Sequence, residues 1–389
     1  MTDHASTGLI HHPYHPPEGF EAPQPGVHKA STVIFRDVAA MRARDWRSKA
    51  GYTYGLHGTP TTFTLEARIA HLEHGRDTLL TPSGLAAIAL VDLALLGQGD
   101  ELLIPLNAYG PGKSVARHQL ARYGIGHRFY DPMAPDSLAA AIGPTTRLVW
   151  LEAPGSVTME FPDLPALIAV ARARGLLTAL DNTWGAGIAF DGFAVGGGCD
   201  VVVQALTKYP SGGGDVLMGA VTTVDEALHL RLKAAHMDLG LGVGANDAEA
   251  VLRALPSIAL RYHAQDRTAR ALAAWLRGQP QVAQVLHPAL EGSPGHAHWR
   301  AACSAAAGLF SIVFDPQLAP ARVDAFVDAL RLFRIGYSWG GAVSLAVPYD
   351  LKAMRDPAPY EGTLVRFSIG LEAEADLRAD LAQALAVLR

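Results

Sequence analysis

The chain is expected to be an α/β protein, with a large domain built on a mostly parallel sheet and a smaller C-terminal α/β domain. Three observations predict this. At 389 residues the chain exceeds what one ordinary core encloses. Beyond about residue 60, short apolar runs alternate with helix-like segments, the βαβ pattern of a parallel sheet covered on both faces. Near Asn246 the alternation gives way to a long helical stretch, after which strand-like runs return in a more antiparallel pattern. The boundaries this suggests are an arm over 1–60, a large domain over 61–245 and a C-terminal domain over 246–389.

The arm is rich in Pro, Gly and His and lacks regular periodicity, as befits a segment lying over another surface such as a partner subunit. Its cluster His11-His12-Pro13-Tyr14-His15-Pro16-Pro17 reads as a Pro-stiffened arm, because no carboxylate or cysteine is spaced to complete a metal site. Leu79-Leu80 begins the alternation. It leads through Thr81-Pro82-Ser83-Gly84 into a helix that Gly97 would stop. A strand over Glu101 to Pro105 and a helix ending near Tyr123 follow, then a strand over Arg147 to Leu151 and a helix around Leu164 to Arg174. Leu176 to Leu180 forms a strand ending at Asp181, and Val201-Val202-Val203 leads to Gln204-Ala205-Leu206-Thr207-Lys208. After the helical region from Asn246 to Arg277 come strands over Gly308 to Phe314 and Leu364 to Ile369, then a last helix through Leu388. The triple glycines at 196–198 and 212–214 read as loops.

Hydrophobic content of 49% and a mean hydropathy of +0.15 indicate a well-buried globular protein. A net charge of −5 with interspersed signs argues against nucleic acid as a partner, since phosphate binding requires a basic face. The two cysteines, Cys199 and Cys303, are far apart and read as reduced thiols. The first residues lack a basic region followed by an apolar stretch, so no signal peptide is expected. The apolar stretch Leu85 to Leu96 contains Asp92 and is too short to cross a bilayer. A cytoplasmic location without a membrane partner is the expectation.

Asp181 and Lys208 thus end two strand-like runs, and ligands in such sheets bind at the carboxyl ends of the strands. A carboxylate and an amine delivered to one edge suit pyridoxal 5'-phosphate. That cofactor needs a lysine for its aldehyde and an acid to keep its pyridine nitrogen protonated. Taken singly, each also reads as a surface lysine or a helix-capping aspartate. Ser83-Gly84-Leu85, at a strand-to-helix junction, offers backbone N–H groups and a helix dipole to the phosphate, or is an ordinary cap. Thr207 adds a hydroxyl. Tyr109, on a loop after a strand, is a flat partner for the ring or a packing residue. Arg366, mid-strand between Val365 and Phe367, is a fork for an α-carboxylate or half of a buried ion pair. Tyr52 to Pro60 has the aromatic and glycine content of a loop presented to a neighbour's site, or of a plain linker. Gly336-Tyr337-Ser338-Trp339-Gly340-Gly341 reads as a pocket wall or a hydrophobic hairpin.

The ordered set Tyr54-Gly55, Gly58-Thr59-Pro60, Pro82-Ser83-Gly84, Ala108-Tyr109-Gly110-Pro111, Asp181-Asn182-Thr183-Trp184 and Thr207-Lys208-Tyr209 resembles the PLP-dependent enzymes of cysteine and methionine metabolism, the transsulfuration family. The likeness runs from about Tyr52 to the C-terminus. Within the family, Glu152, the run Pro154 to Glu160, and Tyr337 to Gly341 are most similar to the bacterial cystathionine β-lyase branch. Gamma-acting relatives usually carry Asn where Ser156 stands and Glu where Tyr337 stands.

The resemblance implies fold type I with a seven-stranded large-domain sheet, and a homotetramer of two intimate dimers. In it Tyr54 reaches the neighbour's phosphate. It further implies a small sulfur amino acid as substrate, with Ser156, Tyr337, Ser338, Trp339 and Arg366 binding it. The implied reaction is β-elimination from L-cystathionine, with cystine or cysteine S-conjugates as further substrates; Lys208 is the base and Tyr109 assists. The alternatives are γ-lyase, γ-synthase or methionine γ-lyase chemistry, and a PLP-binding regulator without turnover. Two departures stand out: Leu56 occupies the place of a phosphate-binding Arg, which His57 or another donor would replace, and Val343 precedes Ser344 where a Glu is common.

Overall fold

The computed structural model describes residues 5–11, 18–20, 22–355 and 357–388. Seven strands form its first sheet: β1 (Asp77–Thr81), β2 (Glu101–Pro105), β3 (Gly126–Tyr130), β4 (Thr146–Glu152), β5 (Leu177–Asp181), β6 (Val201–Gln204) and β7 (Gly219–Thr223). Their spatial order is β1-β7-β6-β5-β4-β2-β3. Only β7 runs against its neighbours. The carboxyl ends of β1, β2, β4, β5 and β6 therefore share one edge. Helices cover both faces, so β4 over 148–151, β5 over 178–180 and the whole of β6 are buried without alternation. Glu152 lies opposite Asp181 in the β4–β5 ladder, and Asp181 opposite Val203 in the next.

The second sheet contains β8 (Val282–Leu286), β9 (Leu309–Phe314), β10 (Arg334–Ile335), β11 (Leu345–Tyr349) and β12 (Leu364–Ser368), in the order β10-β11-β12-β9-β8. All its pairs are antiparallel except β10–β11. Val365 and Phe367 of β12 pack with Phe310, Phe314, Phe326 and Leu377. Leu364 turns the other way, into a core that also holds Leu309 and Val313 of the second sheet and Leu151, Leu180 and Val202 of the first. Period-two alternation thus sends Arg366, two residues on from Leu364, away from the phenylalanine core.

The helix Gly84–Leu95 follows β1 directly, and the Ser83 hydroxyl caps it by accepting the Ala86 N–H at 3.0 Å. Asp163 caps Leu164–Ala173 in the same way. The helix expected to end near Tyr123 starts at Gly110, widens into a π turn over Val115–Gln119 and tightens to 3-10 over Leu120–Tyr123. The long helical region divides at Leu255–Ser257, where Pro256 lacks a donor, into Ala245–Ala254 and Ile258–Leu276.

Strands β3, β7, β8, β10 and β11 are additions to the expected pattern. β3 is an edge strand with mostly polar, partly exposed residues, and β11 carries Pro348 next to its end. Residues 22–59 are largely irregular, with a short helix at Val38–Arg42, a 3-10 turn at Gly55–His57 and a bridge between Thr32 and Tyr54. His11 closes the helix Ala5–His11, while the rest of that histidine cluster, His12 to Pro17, lies outside the described residues. Both cysteines are free thiols, as expected. Among the described residues no helix is long and apolar enough to cross a membrane.

Candidate active site

The shared edge of the first sheet opens into a cleft. Its walls bring together Ser83, Gly84, Leu85, Tyr109, Ser156, Asp181, Thr207, Lys208, Trp339 and Arg366. Residues up to 283 positions apart meet there because successive strands end on that edge and β12 of the second sheet faces it.

Lys208 lies in the turn after β6, and its Nζ donates to Ser338 Oγ at 2.9 Å while standing 4.6 Å from the centre of the Trp339 ring. Removal from water, and then the nearby Arg366 charge, lower its pKa to about 8, against a smaller opposing pull from Asp181. Asp181 accepts the Thr183 N–H at 3.0 Å, and desolvation raises its pKa. Arg366 is 5% exposed. It lies over the Trp339 ring at 5.4 Å and the Tyr349 ring at 5.3 Å, and reaches the Ser338 carbonyl at 3.4 Å. Among the described residues no carboxylate pairs with it. A buried ion pair does not account for this arginine.

These residues fit pyridoxal 5'-phosphate on structural grounds. The helix Gly84–Leu95 directs its first N–H groups at the cleft, and no acceptor among the described residues takes those of Gly84 or Leu85. A Cβ at Gly84 would stand 2.6 Å from Ala205 Cβ, so only glycine lets that helix end approach the turn carrying Lys208. The Thr207 hydroxyl lines the cleft but donates to the Met218 carbonyl at 3.2 Å and accepts the Met218 N–H at 3.1 Å. It must rotate to donate to a phosphate. The Asp181 carboxylate faces the space where a pyridinium would meet its charge, and Tyr109 offers a ring on the same wall.

Some expected residues stand apart. Tyr54 is 46% exposed and does not line this chain's own cleft. Tyr337 is 80% exposed, with its ring edge against Tyr349 at 6.4 Å. His57, which follows Leu56, bonds Thr53 Oγ1 through Nδ1 at 2.6 Å; desolvation and then the Lys233 charge depress its pKa, which disfavours the cationic form. Ser344, behind Val343, has its hydroxyl bonded to Glu372 at 2.7 Å.

Three residues were not anticipated as part of the site's construction. Glu152 accepts the Tyr109 N–H at 2.8 Å and lies beside Asp181; burial and then that neighbour push its pKa well up. Glu73 is 1% exposed and accepts from Asn182 Nδ2 at 2.9 Å and Gln204 Nε2 at 2.6 Å, tying together the strand ends that carry Asp181 and Lys208. In sequence Glu73 is an ordinary charged residue at a helix end, with no signal of either contact. The third is Tyr349, whose neighbourhood with Arg366 depends on strand register.

A sequence profile of the family described as Cys/Met metabolism PLP-dependent enzyme matches residues 6–386. The chain is 40% identical over 363 residues to a cystathionine β-lyase of Bordetella avium, covering 92% of this chain and 90% of the relative. It is 35% identical over 363 residues to the cystathionine β-lyase MetC of Escherichia coli K12, covering 91% of each. The crystal structure of metB from Corynebacterium glutamicum superposes with a TM-score of 0.91 at 26% identity, over 100% of this chain and 99% of that one.

Proposed function

This chain belongs to the Cys/Met metabolism PLP-dependent enzymes, and within that family we propose that it is a carbon–sulfur β-lyase converting L-cystathionine to L-homocysteine, pyruvate and ammonia. The observation that carries the reading is Arg366: a buried guanidinium without a carboxylate partner among the described residues, in one cleft with Lys208 and Asp181. A charge in that position is expensive unless an anion arrives, and the α-carboxylate of an amino acid supplies one.

The cofactor would be held by Lys208 at its aldehyde, Asp181 at its ring nitrogen, Tyr109 on its face, and Ser83, Gly84, Leu85 and Thr207 at its phosphate. When bound, it supplies an electron-accepting ring that makes the substrate Cα proton acidic. Arg366 orients the substrate through the carboxylate. Lys208 takes the Cα proton: with its pKa lowered to about 8, the amine is neutral in part of the molecules near neutral pH, and Ser338 Oγ holds Nζ in place. Tyr109 keeps its phenolic proton, because desolvation and then the Asp181 charge raise its pKa. It and protonated Lys208 are the two donors available to the departing thiolate. Ser156 and Trp339 line the substrate side, with Ser338 beside Lys208.

Residues 61–245 act in this reading as the cofactor-binding domain and 246–389 as the domain carrying Arg366, with 1–60 reaching a neighbouring subunit in a dimer of dimers. Tyr54 would meet the neighbour's phosphate, and Tyr337 would line the outer substrate wall. The enzyme would work in the cytoplasm on a free amino acid, cystine and cysteine S-conjugates included.

The test is to supply L-cystathionine to the PLP-loaded protein and identify the keto acid. Pyruvate is expected, and Lys208→Ala should lower its release by at least about a thousandfold, the scale of losing the proton-transfer group. 2-Oxobutyrate would mean γ-chemistry, the rival that the residues at 156 and 337 argue against. A bound chromophore with no keto acid from any sulfur amino acid would mean a regulator.

A further inference from the structure

Arg366 is buried without a carboxylate partner among the described residues, yet it must present its N–H groups to the cleft in a fixed orientation. In β12 it lies directly opposite Val347 of β11. Tyr349 is two residues beyond Val347, on the same face and diagonal to Arg366, which is within reach of an aromatic side chain. The tyrosine ring centre lies 5.3 Å from the guanidinium carbon, and the Trp339 ring, from the loop after β10, lies 5.4 Å from it. Tyr337 closes on the outer edge of Tyr349 at 6.4 Å.

We propose that Tyr349 is a positioning residue for substrate recognition: with Trp339 it holds the Arg366 guanidinium by its π face, so that the arginine is steadied in the cleft without an internal anion that would compete for it. This rests on the reading that Arg366 binds the substrate carboxylate. A carboxylate in place of Tyr349 would fix the arginine just as well but would occupy the N–H groups that the substrate needs. An aromatic face attracts the cation and leaves its N–H edge free. The same ring shields one side of the guanidinium from water and strengthens its interaction with an incoming anion. Arg366 answers to this environment: its removal from water lowers its pKa.

The role belongs to the ring rather than to the hydroxyl, which decides the variants. Tyr349→Phe keeps the π face; Tyr349→Leu keeps apolar bulk and removes it. Calorimetry on the PLP-loaded enzyme would measure binding of 3-(methylthio)propanoate, which carries the carboxylate and no amine. KM and kcat for L-cystathionine would be measured alongside. Tyr349→Leu should weaken binding and raise KM by about fivefold to tenfold, the scale of a partly desolvated cation–π contact, with kcat within about twofold of the parent. Tyr349→Phe should restore both. Unchanged binding in Tyr349→Leu, or a Tyr349→Phe variant as weak as Tyr349→Leu, would overturn the proposal. Arg366→Gln separates this from the underlying reading. If it abolishes carboxylate binding while Tyr349→Leu leaves binding unchanged, only the role of Tyr349 fails. If Arg366→Gln binds the carboxylate as well as the parent, the reading of Arg366 fails and the proposal with it.

Discussion

At the scale of single residues, the site works by holding groups in charge states that water would not favour. Lys208 loses basicity because it is withdrawn from solvent and shares its surroundings with Arg366, two effects that outweigh the attraction of Asp181. The direction matters for the reaction. A base must be unprotonated, and the neutral fraction of an amine grows as pH rises through its pKa. The rate under substrate saturation should therefore climb with pH along a limb centred near pH 8. A profile of kcat between about pH 6.5 and 9.5 would reveal it, and a flat profile across that window would take Lys208 out of the rate-limiting proton transfer. Lys208 and Asp181 were legible in the chain because each follows an apolar run whose buried strand can end only at the sheet edge. Glu73 was not, and Glu152 was marked only as part of the family likeness, without its contact. Their partners, the Tyr109 N–H and the amides of Asn182 and Gln204, are brought to them by strand neighbours distant in sequence.

At the scale of elements, the phosphate end of the site is a matter of how closely a helix approaches a turn. The first turn of Gly84–Leu95 packs on Ala205, and a methyl group at position 84 would come within 2.6 Å of the Ala205 Cβ. Gly84→Ala must push the helix end or the Lys208 turn aside, with a strain on the order of 1–3 kcal/mol. The variant should keep its far-ultraviolet dichroism and lose several times more of its visible cofactor absorbance on gel filtration than the parent does. Equal retention would show that the close approach is packing alone. Elements with clear apolar runs, such as β2, β4, β5, β9 and β12, were recognisable in advance, as was the helix after Ser83. The edge strand β3 and the Pro-bearing β11 were not, because a strand exposed on one side or interrupted by proline has neither a continuous nor an alternating pattern.

At the scale of the whole molecule, the cleft is open on one side. Leu217 on its rim is 72% exposed, while Tyr54 sits outside it on the irregular segment of 22–59. A second subunit that brings its Tyr54 to this rim would cover both features. Mixing Lys208→Ala subunits with Tyr54→Ala subunits under exchange tests this: a hybrid dimer would contain one site with both residues intact. Activity should recover from near zero to about a quarter of the parent level, as random pairing of two chains requires. No recovery, with exchange verified by differently tagged chains, would place Tyr54 in service of its own chain.

The local sequence determined the strand-and-helix alternation, the sheet edge on which a ligand would bind, and the residue types delivered there, because these follow from hydrophobic period and strand ends. Tertiary structure alone decided that Arg366 lacks a carboxylate partner among the described residues, that Tyr349 and Trp339 flank it, and that Glu73 ties two strand ends together. The reason is physical. Register between distant strands sets which side chains face one another, and a charged residue amid apolar neighbours has the same local sequence whether its counter-ion is a protein carboxylate or a substrate.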